Sequence, residues 1–312
     1  MQVWGYVPDS DREAAWATVR EHRPLLTGVS LFQFHLEERG AIAHYQGLDG
    51  EPAWARAVGL PVVPMVTNLI DGNWDRELVA RVLASPDDRA RHIRNLVGLT
   101  VEGDYPGLEL DYEELAAEDR EQLTDFIAEL AAVLHEQDKV LSLALHAKLS
   151  EPGEAAGARA QDWAQLGQAA DRLVIMTYDH DPSRRGPIAP IAWTESVLRL
   201  ALSEIQSSRV LQGIPFYGYD WGSTGDREYR THSEVLALAR AHGSPVERDP
   251  IDKHLTLRYS EQAVAHEVWI PDGITVEQLA EVGRRVGVGG YAIWRLGGED
   301  PGVWDVIARL QG

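Results

Sequence analysis

The sequence contains no cysteine among its 312 residues. Disulfide bonds, thiolate nucleophiles and cysteine-ligated metal sites are therefore excluded. Basic residues are also scarce, because 29 lysines and arginines stand against 49 aspartates and glutamates and leave a net charge of -20. A surface of this charge repels phosphate backbones, so the composition argues against nucleic acid as a partner and favours a neutral or cationic one.

Long apolar runs are missing as well. None reaches the roughly 18–20 residues that cross a bilayer, and the start, Met1-Gln2-Val3-Trp4, lacks the basic and apolar stretches of a signal peptide. We expect no membrane insertion, and a cytoplasmic location unless a removed signal directs the protein to the cell wall or spore. The 11 histidines show no His-Glu-x-x-His or similar ligand spacing, so no metal site is expected. The expected assembly is a monomer.

Short apolar or β-branched runs alternate with helical segments along the chain. We count eight such runs, at residues 2–7, 28–34, 61–67, 107–112, 140–145, 172–178, 209–216 and 289–294. Between the fourth and fifth runs, apolar residues recur at the spacing of one helix face, at Leu123, Phe126, Ile127, Leu130, Val133 and Leu134. The alternation predicts an α/β fold, a (β/α)8 TIM barrel. The rival, an open doubly wound sheet, would need a glycine-rich phosphate turn after the first strand, and Gly5-Tyr6-Val7-Pro8 is not one.

The interval between the seventh and eighth strands is about 80 residues, longer than the others. Its excess, at about 222–270, contains two alternating stretches typical of a hairpin, at 255–259 and 266–270. No linker, low-complexity tract or internal repeat marks a second domain. We therefore expect a single barrel domain over residues 1–312, with a small α+β insertion between strands seven and eight.

The fourth strand carries an acid at every second position from Glu109. Because side chains alternate along a strand, Glu109, Asp111 and Glu113 are expected to point to one face. Stacked like charges repel, so a fold tolerates such a row mainly where proton transfer needs it. A solvated outer face of an edge strand is the alternative interpretation.

The ends of other strands supply matching groups. In a (β/α)8 barrel the active site lies at the carboxyl ends of the strands. Strand six ends in Met176-Thr177-Tyr178-Asp179, strand seven leads into Tyr217, and strand eight ends in Trp294. Acids and phenols bind hydroxyls and amides while aromatic faces pack on pyranose rings, so the combination favours a sugar ligand.

Several of these segments resemble one known family. The Asp111-x-Glu113 strand end, the segment 176–179 and Trp294 are similar to the glycoside hydrolases of family 18, which cleave glycans containing N-acetylglucosamine. Four further segments resemble the branch that includes the spore-cortex peptidoglycan N-acetylglucosaminidases, namely 186–190, 213–221, 266–269 and 292–297. The resemblance extends over nearly the whole chain and implies the barrel fold and a glycan substrate, peptidoglycan or a chitin-like polymer.

The resemblance also implies a mechanism. Such enzymes retain configuration through substrate assistance, in which the 2-acetamido oxygen attacks the anomeric carbon and forms an oxazolinium intermediate. By this resemblance Glu113 is the general acid/base, Asp111 binds the acetamide N–H and stabilises developing charge, and Tyr178 holds the acetamide oxygen. No metal and no organic cofactor is implied.

Substrate-binding roles follow for five further residues. The resemblance places Asp179 in hydrogen bonds to the sugar or acetamide and Trp294 beneath the reacting ring, while Tyr6 and Tyr217 are candidates from their positions at strand ends. Glu109 departs from the family, which often has Asp or Asn at this position, and should titrate together with Asp111. Its extra methylene either moves Asp111 towards Glu113 or is absorbed by the barrel core.

Other readings stay open at this stage. A chitinase of the same family would use the same site, a lectin-like protein would bind glycan without turnover, and a conventional glycosidase would use Glu109 or Asp111 as nucleophile. His146 ends strand five and could meet substrate or be a structural histidine. Arg184 and Arg185 could reach an acidic group of peptidoglycan or lie in a solvated loop. The natural polymer and the preference for chain ends or interior bonds are not predicted.

Overall fold

The computed structural model describes residues 1–45 and 51–311. Within these residues, eight parallel strands form a closed barrel, each within two residues of its predicted bounds. The barrel strands are β1 (Gln2–Val7), β2 (Gly28–Leu36), β4 (Val62–Thr67), β7 (Gly107–Asp111), β8 (Val140–His146), β9 (Arg172–Met176), β10 (Val210–Pro215) and β16 (Gly290–Trp294). Closure occurs at β1, which pairs in parallel with both β2 and β16. The predicted (β/α)8 fold is confirmed.

Helices and short strands connect the barrel strands. The helices are α1 (Arg12–Glu21), α2 (Glu51–Ala57), α3 (Arg76–Ala84), α4 (Pro86–Glu102), α5 (Arg120–His135), α6 (Ala156–Ala160), α7 (Trp163–Ala169), α8 (Ile191–Glu204), α9 (His232–His242), α10 (Gly273–Val286) and α11 (Val303–Gln311). Strand β3 (Ile42–His44) extends the sheet beside β2, and β5 (Leu69–Ile70) pairs with β6 (Asn73–Trp74) beyond the end of β4. No described helix is long and apolar enough to cross a bilayer.

Side-chain caps explain where many helices begin. A residue before the helix accepts a hydrogen bond from the backbone N–H three positions later, which satisfies a donor that the helix itself leaves free. The capping residues are Asp75 of α3, Ser85 of α4, Asp162 of α7, Thr231 of α9 and Asp272 of α10.

The predicted insertion is a small antiparallel sheet between β10 and β16. Its strands are β11 (Gly218–Gly222), β12 (Arg227–Arg230), β13 (Val246–Arg248), β14 (Leu255–Glu261) and β15 (Val264–Ile270), in the order β12-β11-β15-β14-β13. The two alternating stretches at 255–259 and 266–270 lie in β14 and β15, which pair as a hairpin. Helix α9 packs on this sheet through Val235.

The outer faces of the barrel strands pack against the helices. On β7, Leu108 and Leu110 lie in the same apolar cluster as Phe126 and Leu130 of α5. Val133, which the sequence placed on the buried face of that helix, is 37% exposed, because it lies at the edge of the apolar stripe. The alternate residues Glu109 and Asp111 consequently face the barrel interior, where both are buried.

Strand register brings the candidate residues to one edge of the barrel. The ends of neighbouring strands lie side by side, Thr67 with Asp111, His146 with Met176, and Pro215 with Trp294. The residues that follow these ends therefore surround one opening.

A substitution at Gly107, the first residue of β7, tests the strand packing that positions the acidic row. A Cβ at Gly107 would lie 2.4 Å from the Val140 carbonyl oxygen, so Gly107→Ala must displace β7 from β8. We expect a loss of about 1–3 kcal/mol in the free energy of unfolding, measured by urea denaturation. The matched control is Gly98→Ala in α4, where the added Cβ meets only a side-chain oxygen at 3.8 Å and should stabilise by about 0.5–1 kcal/mol. Equal stability of the two variants would contradict this account of the strand.

Candidate active site

The acidic row of β7 runs from the barrel interior to its mouth. Glu109 and Asp111 are 1% and 5% exposed, whereas Glu113, two residues beyond, lines an open cavity of about 660 Å³. The three carboxyl groups thus share one face, as the alternation predicted. The solvated outer face of an edge strand is excluded, since β7 is paired on both sides, with β4 and β8.

Glu109 is held below the cavity by a residue from across the barrel. The Tyr6 hydroxyl on β1 donates to Oε1 of Glu109 at 2.5 Å. Burial raises the pKa of Glu109, and the positive charge of Arg172 opposes that rise. Glu109 does not line the cavity within the described part of the chain, so its side chain acts on the site from beneath.

Arg172 is a buried cation that the sequence analysis did not single out. It lies on β9, with its guanidinium 3.5 Å from the centre of the Trp4 ring and its Nε donating to Ser142 Oγ at 3.1 Å. A signal was present in the sequence, because Arg172 shares its alternation with Met176 and Tyr178, and both of these line the cavity.

Asp111 and Glu113 form a protonated pair above Glu109. Burial, followed by the charge of Glu109, raises the pKa of Asp111 to about 8, while a hydrogen bond with Glu113 acts in the opposite direction. Burial also raises the pKa of Glu113 well above its ordinary value, and the charges of Asp111, Asp179 and Glu114 raise it further. Two carboxyl groups in hydrogen-bond contact cannot both ionise cheaply, so the pair retains a proton at neutral pH.

The backbone of Glu113 is fixed by the residue that follows β4. The Asn68 side chain accepts a hydrogen bond from Glu113 N–H at 2.9 Å and donates one to the Glu113 carbonyl oxygen at 3.0 Å. Nε2 of His146 lies 3.9 Å from Oε2 of Glu113. Burial lowers the pKa of His146 to about 4, so the imidazole is neutral at pH 7. Within the described residues its Nε2 has no hydrogen-bond partner. His146 therefore lines the cavity with a ring nitrogen available for a hydrogen bond.

Tyr178 and Asp179 follow β9, the neighbour of the strand that ends in His146, and both line the cavity. A Cβ on Gly213 would lie 2.7 Å from the Tyr178 ring, which shows how closely the ring packs on β10. Burial, and then the charge of Asp111, raises the pKa of Tyr178 well above its ordinary value, so its hydroxyl remains a donor. Asp179 accepts hydrogen bonds from the hydroxyls of Tyr217 at 2.6 Å and Tyr219 at 3.2 Å.

Trp294 closes the cavity beside the aromatic residues of β1 and β2. Its ring meets the edge of Tyr6 at 5.4 Å between centroids and lies 5.7 Å from Phe32. All three line the cavity. This apolar surface lines the same cavity as the carboxyl pair and suits the C–H face of a sugar ring.

Six of the eight predicted site residues meet in the cavity, and two lie behind it. The six are Tyr6, Asp111, Glu113, Tyr178, Asp179 and Trp294. Glu109 lies beneath, and Tyr217 stacks on Tyr229 at 5.1 Å while it holds Asp179. Four lining residues were not predicted from the sequence: Trp74 of β6, Lys148 after β8, Trp193 of α8 and Arg227 of β12. All four lie outside the barrel strands, so the alternation that placed the strand-end residues does not apply to them.

No group of three or more His, Asp or Glu side chains that could hold a metal ion occurs within residues 1–45 and 51–311.

Comparison with known proteins places the chain in a family. The model of the family described as glycosyl hydrolases family 18 matches residues 69–299, more than half of the chain. The chain belongs to glycosyl hydrolase family 18. The resemblance drawn from the strand-end motifs is thereby confirmed, together with the glycosidase class.

Relatives of this family 18 chain include cortex-lytic enzymes and chitinases. The cortical fragment-lytic enzyme of Bacillus anthracis is 27% identical over 313 residues, covering 96% of this chain and 71% of that protein. A chitinase from Chromobacterium violaceum has a structure with a TM-score of 0.90 and 26% identity, covering 99% of this chain and 98% of that chain. The spore cortex-lytic enzyme SleL of Bacillus megaterium shares the fold, with a TM-score of 0.89 and 24% identity over 98% of this chain and 73% of that chain.

The raised pKa of Asp111 makes a prediction about stability. Below about pH 4 the carboxyl group is protonated in both folded and unfolded chains, but as pH rises towards 8 only the unfolded chain ionises it freely, which costs stability. Asp111→Asn removes this cost, so its melting temperature should exceed that of the parent by an amount that grows from pH 4 to pH 8. Differential scanning calorimetry at both pH values measures the difference, and Asp125→Asn, at an exposed position of α5, is the matched control. An advantage of Asp111→Asn that is the same at both pH values would contradict the assignment.

Proposed function

We propose that the protein hydrolyses β-N-acetylglucosaminide bonds in peptidoglycan or a related amino-sugar polymer, with retention of configuration and by substrate assistance. The observation that carries the proposal is the position of Asp111 and Glu113, two residues apart on one strand face and lining one cavity, where a hydrogen bond between their carboxyl groups acts on the pKa of both. A glycosidase with a carboxylate nucleophile keeps its two carboxyl groups about 5–5.5 Å apart, and an inverting one about 6.5–9.5 Å. Two carboxyl groups in contact act together as one general acid, so neither is placed to attack the sugar as a separate nucleophile. The nucleophile is then a group of the substrate.

The roles of the residues follow from their positions. Glu113, whose pKa is raised by burial and by the charge of Asp111, donates a proton to the leaving glycosidic oxygen as the acetamide oxygen attacks the anomeric carbon. It then removes a proton from the water that opens the oxazolinium ion. Oδ1 of Asp111 has no hydrogen-bond partner within the described residues, and it accepts the acetamide N–H and stabilises the positive charge that develops. The Tyr178 hydroxyl donates to the acetamide oxygen and fixes its line of attack.

The wall of the cavity binds the rest of the sugar. Asp179 offers carboxylate oxygens whose direction is set by Tyr217 and Tyr219. Trp294 packs beneath the reacting ring. Glu109, tied to Tyr6, lies beneath the pair, and its charge adds to the effect of burial in raising the pKa of Asp111, which favours retention of the proton that Asp111 and Glu113 share.

A chitinase is the second candidate. The Chromobacterium violaceum chitinase covers nearly the same length of chain as this protein at 26% identity, and a homopolymer of N-acetylglucosamine would use the same catalytic groups. The cortical fragment-lytic relatives favour peptidoglycan instead. Mass spectrometry of products from purified peptidoglycan and from chitin oligomers identifies the bond cut and the sugar at the new reducing end.

One prediction of the proposed mechanism concerns the general acid. Glu113→Gln keeps the shape of the side chain but cannot donate a carboxyl proton, so hydrolysis of an N-acetylglucosaminide should fall by about 10²- to 10⁴-fold. Initial rates with a chromogenic N-acetylglucosaminide, alongside far-ultraviolet circular dichroism, separate loss of activity from loss of fold. Glu118→Gln, at an exposed position five residues further on, should keep the parental rate. Full activity of Glu113→Gln would refute the assignment.

Another prediction of the proposed mechanism concerns the acetamide group of the substrate. If the 2-acetamido oxygen is the nucleophile, a substrate with free 2-amino groups lacks it and should resist cleavage under conditions in which the N-acetylated oligomer of equal length is consumed. Product analysis by mass spectrometry compares the two oligomers. Equal rates of cleavage, or a covalent glycosyl-enzyme trapped on Glu109 or Asp111, would show that the nucleophile belongs to the protein.

A further inference from the structure

One side chain at the wall of the cavity is a cation whose charge acts on Asp179 without an ion pair within the described residues. Arg227, on β12 of the small sheet, lines the cavity together with the carboxyl groups of Glu114, Glu154 and Asp179. The other cation of the lining, Lys148, is fully buried, with its Nζ 2.5 Å from Oε1 of Glu151 and donating to a backbone carbonyl oxygen at 2.7 Å. Its charge is therefore satisfied within the protein.

Arg227 is held in place by aromatic rings instead of by a carboxylate. Its guanidinium carbon lies 4.2 Å from the centre of the Tyr219 ring and 5.6 Å from that of Trp221. Its Nη1 donates to the carbonyl oxygen of Pro182 at 3.2 Å. A cation stacked on aromatic faces keeps its orientation while most of its N–H donors stay available.

The acidic residues beside Arg227 in the sequence have other partners. Asp226 accepts a hydrogen bond from Thr224 Oγ1 at 2.7 Å, and Glu228 pairs with Arg230. Within residues 1–45 and 51–311, Arg227 forms no ion pair. The guanidinium therefore offers an uncommitted fork of donors, which matches the two oxygens of a carboxylate.

The surroundings give this charge a consequence for specificity. The chain has a net charge of -20, and five acids stand against two cations among the residues that line the cavity, so the electrostatic field there disfavours an anionic group on a substrate. At Arg227 the interaction is attractive. The Tyr219 ring beneath Arg227 also donates its hydroxyl to Asp179, which puts the cation one aromatic ring away from the wall of the proposed acetamide site.

We propose that Arg227 binds a carboxylate carried by a substituent of the amino-sugar polymer, and that it makes the cleft selective for an acid-substituted glycan over neutral chitin. The inference rests on the proposed function and narrows its substrate class. In peptidoglycan the carboxylate comes from the lactyl ether of N-acetylmuramic acid or from the peptide attached to it. Arg184 and Arg185, the arginines that the sequence suggested for this role, do not line the cavity in the described structure; Arg184 lies 3.9 Å from Asp181, and Arg185 donates to the Gly222 carbonyl oxygen.

The test measures binding apart from catalysis. In the Glu113→Gln background, isothermal titration calorimetry compares four ligands. Three are tetrasaccharides of alternating N-acetylglucosamine and N-acetylmuramic acid: one with free lactyl carboxylates, one with those groups converted to simple amides, and one with those groups amide-linked to the peptide. The fourth is chitotetraose. Each is measured with Arg227, Arg227→Gln and Arg227→Lys. Arg258→Gln removes an exposed arginine of the same sheet that pairs with Glu267, and is the matched control.

The expected result is a loss that depends on ligand charge. Arg227→Gln should weaken binding of the free-acid tetrasaccharide about tenfold, the loss of one charge-assisted pair, and leave the amidated ligand and chitotetraose within about twofold. Arg227→Lys should restore part of the difference, and Arg258→Gln should change nothing. A loss confined to the peptide-bearing ligand would assign the carboxylate to the peptide instead of the lactyl group.

Other outcomes would overturn the inference. An equal loss for charged and neutral ligands, no loss for any ligand, or no binding of the acid-substituted ligands with Arg227 present would each exclude Arg227 as a carboxylate receptor. Failure of the proposed function is distinguishable, because it would appear as absence of hydrolysis by the protein with Glu113 intact, whatever the calorimetry shows.

Discussion

The site depends on the burial of carboxyl groups in a barrel interior that contains a cation, Arg172. Three acids on one strand face would repel one another as ions, and burial makes each ion costlier still. The fold answers in two ways: Tyr6 donates a hydrogen bond to Glu109, and Arg172 opposes the rise in its pKa. Burial, and then the negative charge kept low in the barrel, raises the pKa of Asp111 in the pair above it. The same acids that cost stability thus provide a proton where the cavity opens.

The remaining residues of the site are held by groups from neighbouring strand ends. Asn68 grips both backbone polar groups of Glu113, and Tyr217 and Tyr219 orient the carboxylate of Asp179. These contacts come from β4 and from the segment after β10, so the barrel register, more than any single helix, sets the geometry. The small sheet contributes Arg227 to the cavity wall and Tyr219 to the hydrogen bonds that orient Asp179. In the proposed mechanism the catalytic groups come from the barrel, and the proposed selectivity among glycans comes from Arg227 of the inserted sheet.

The sequence predicted the features that follow from strict periodicity. Alternation along β7 placed Glu109, Asp111 and Glu113 on one face, and the eight apolar runs gave the barrel strands. The role of Arg172 was not predicted, because alternation shows which residues of β1, β7 and β9 point into the barrel but not which of them meet there. Arg227 was not predicted because its position depends on how the insertion folds back over the barrel mouth. Tyr217 follows the end of a barrel strand, yet its ring packs on Tyr229 behind the cavity. The direction of a side chain beyond a strand end does not follow from its spacing in the sequence.

The central claim, that Asp111 and Glu113 share a proton at neutral pH, is open to direct measurement. Carbon-13 labelling of the aspartate and glutamate carboxyl groups, with signals assigned through Asp111→Asn and Glu113→Gln, allows both groups to be titrated by nuclear magnetic resonance. The account predicts that the pair still carries one proton at pH 6–7 and loses it only on further increase in pH. Two carboxyl signals that both titrate near pH 4, as exposed acids do, would contradict it.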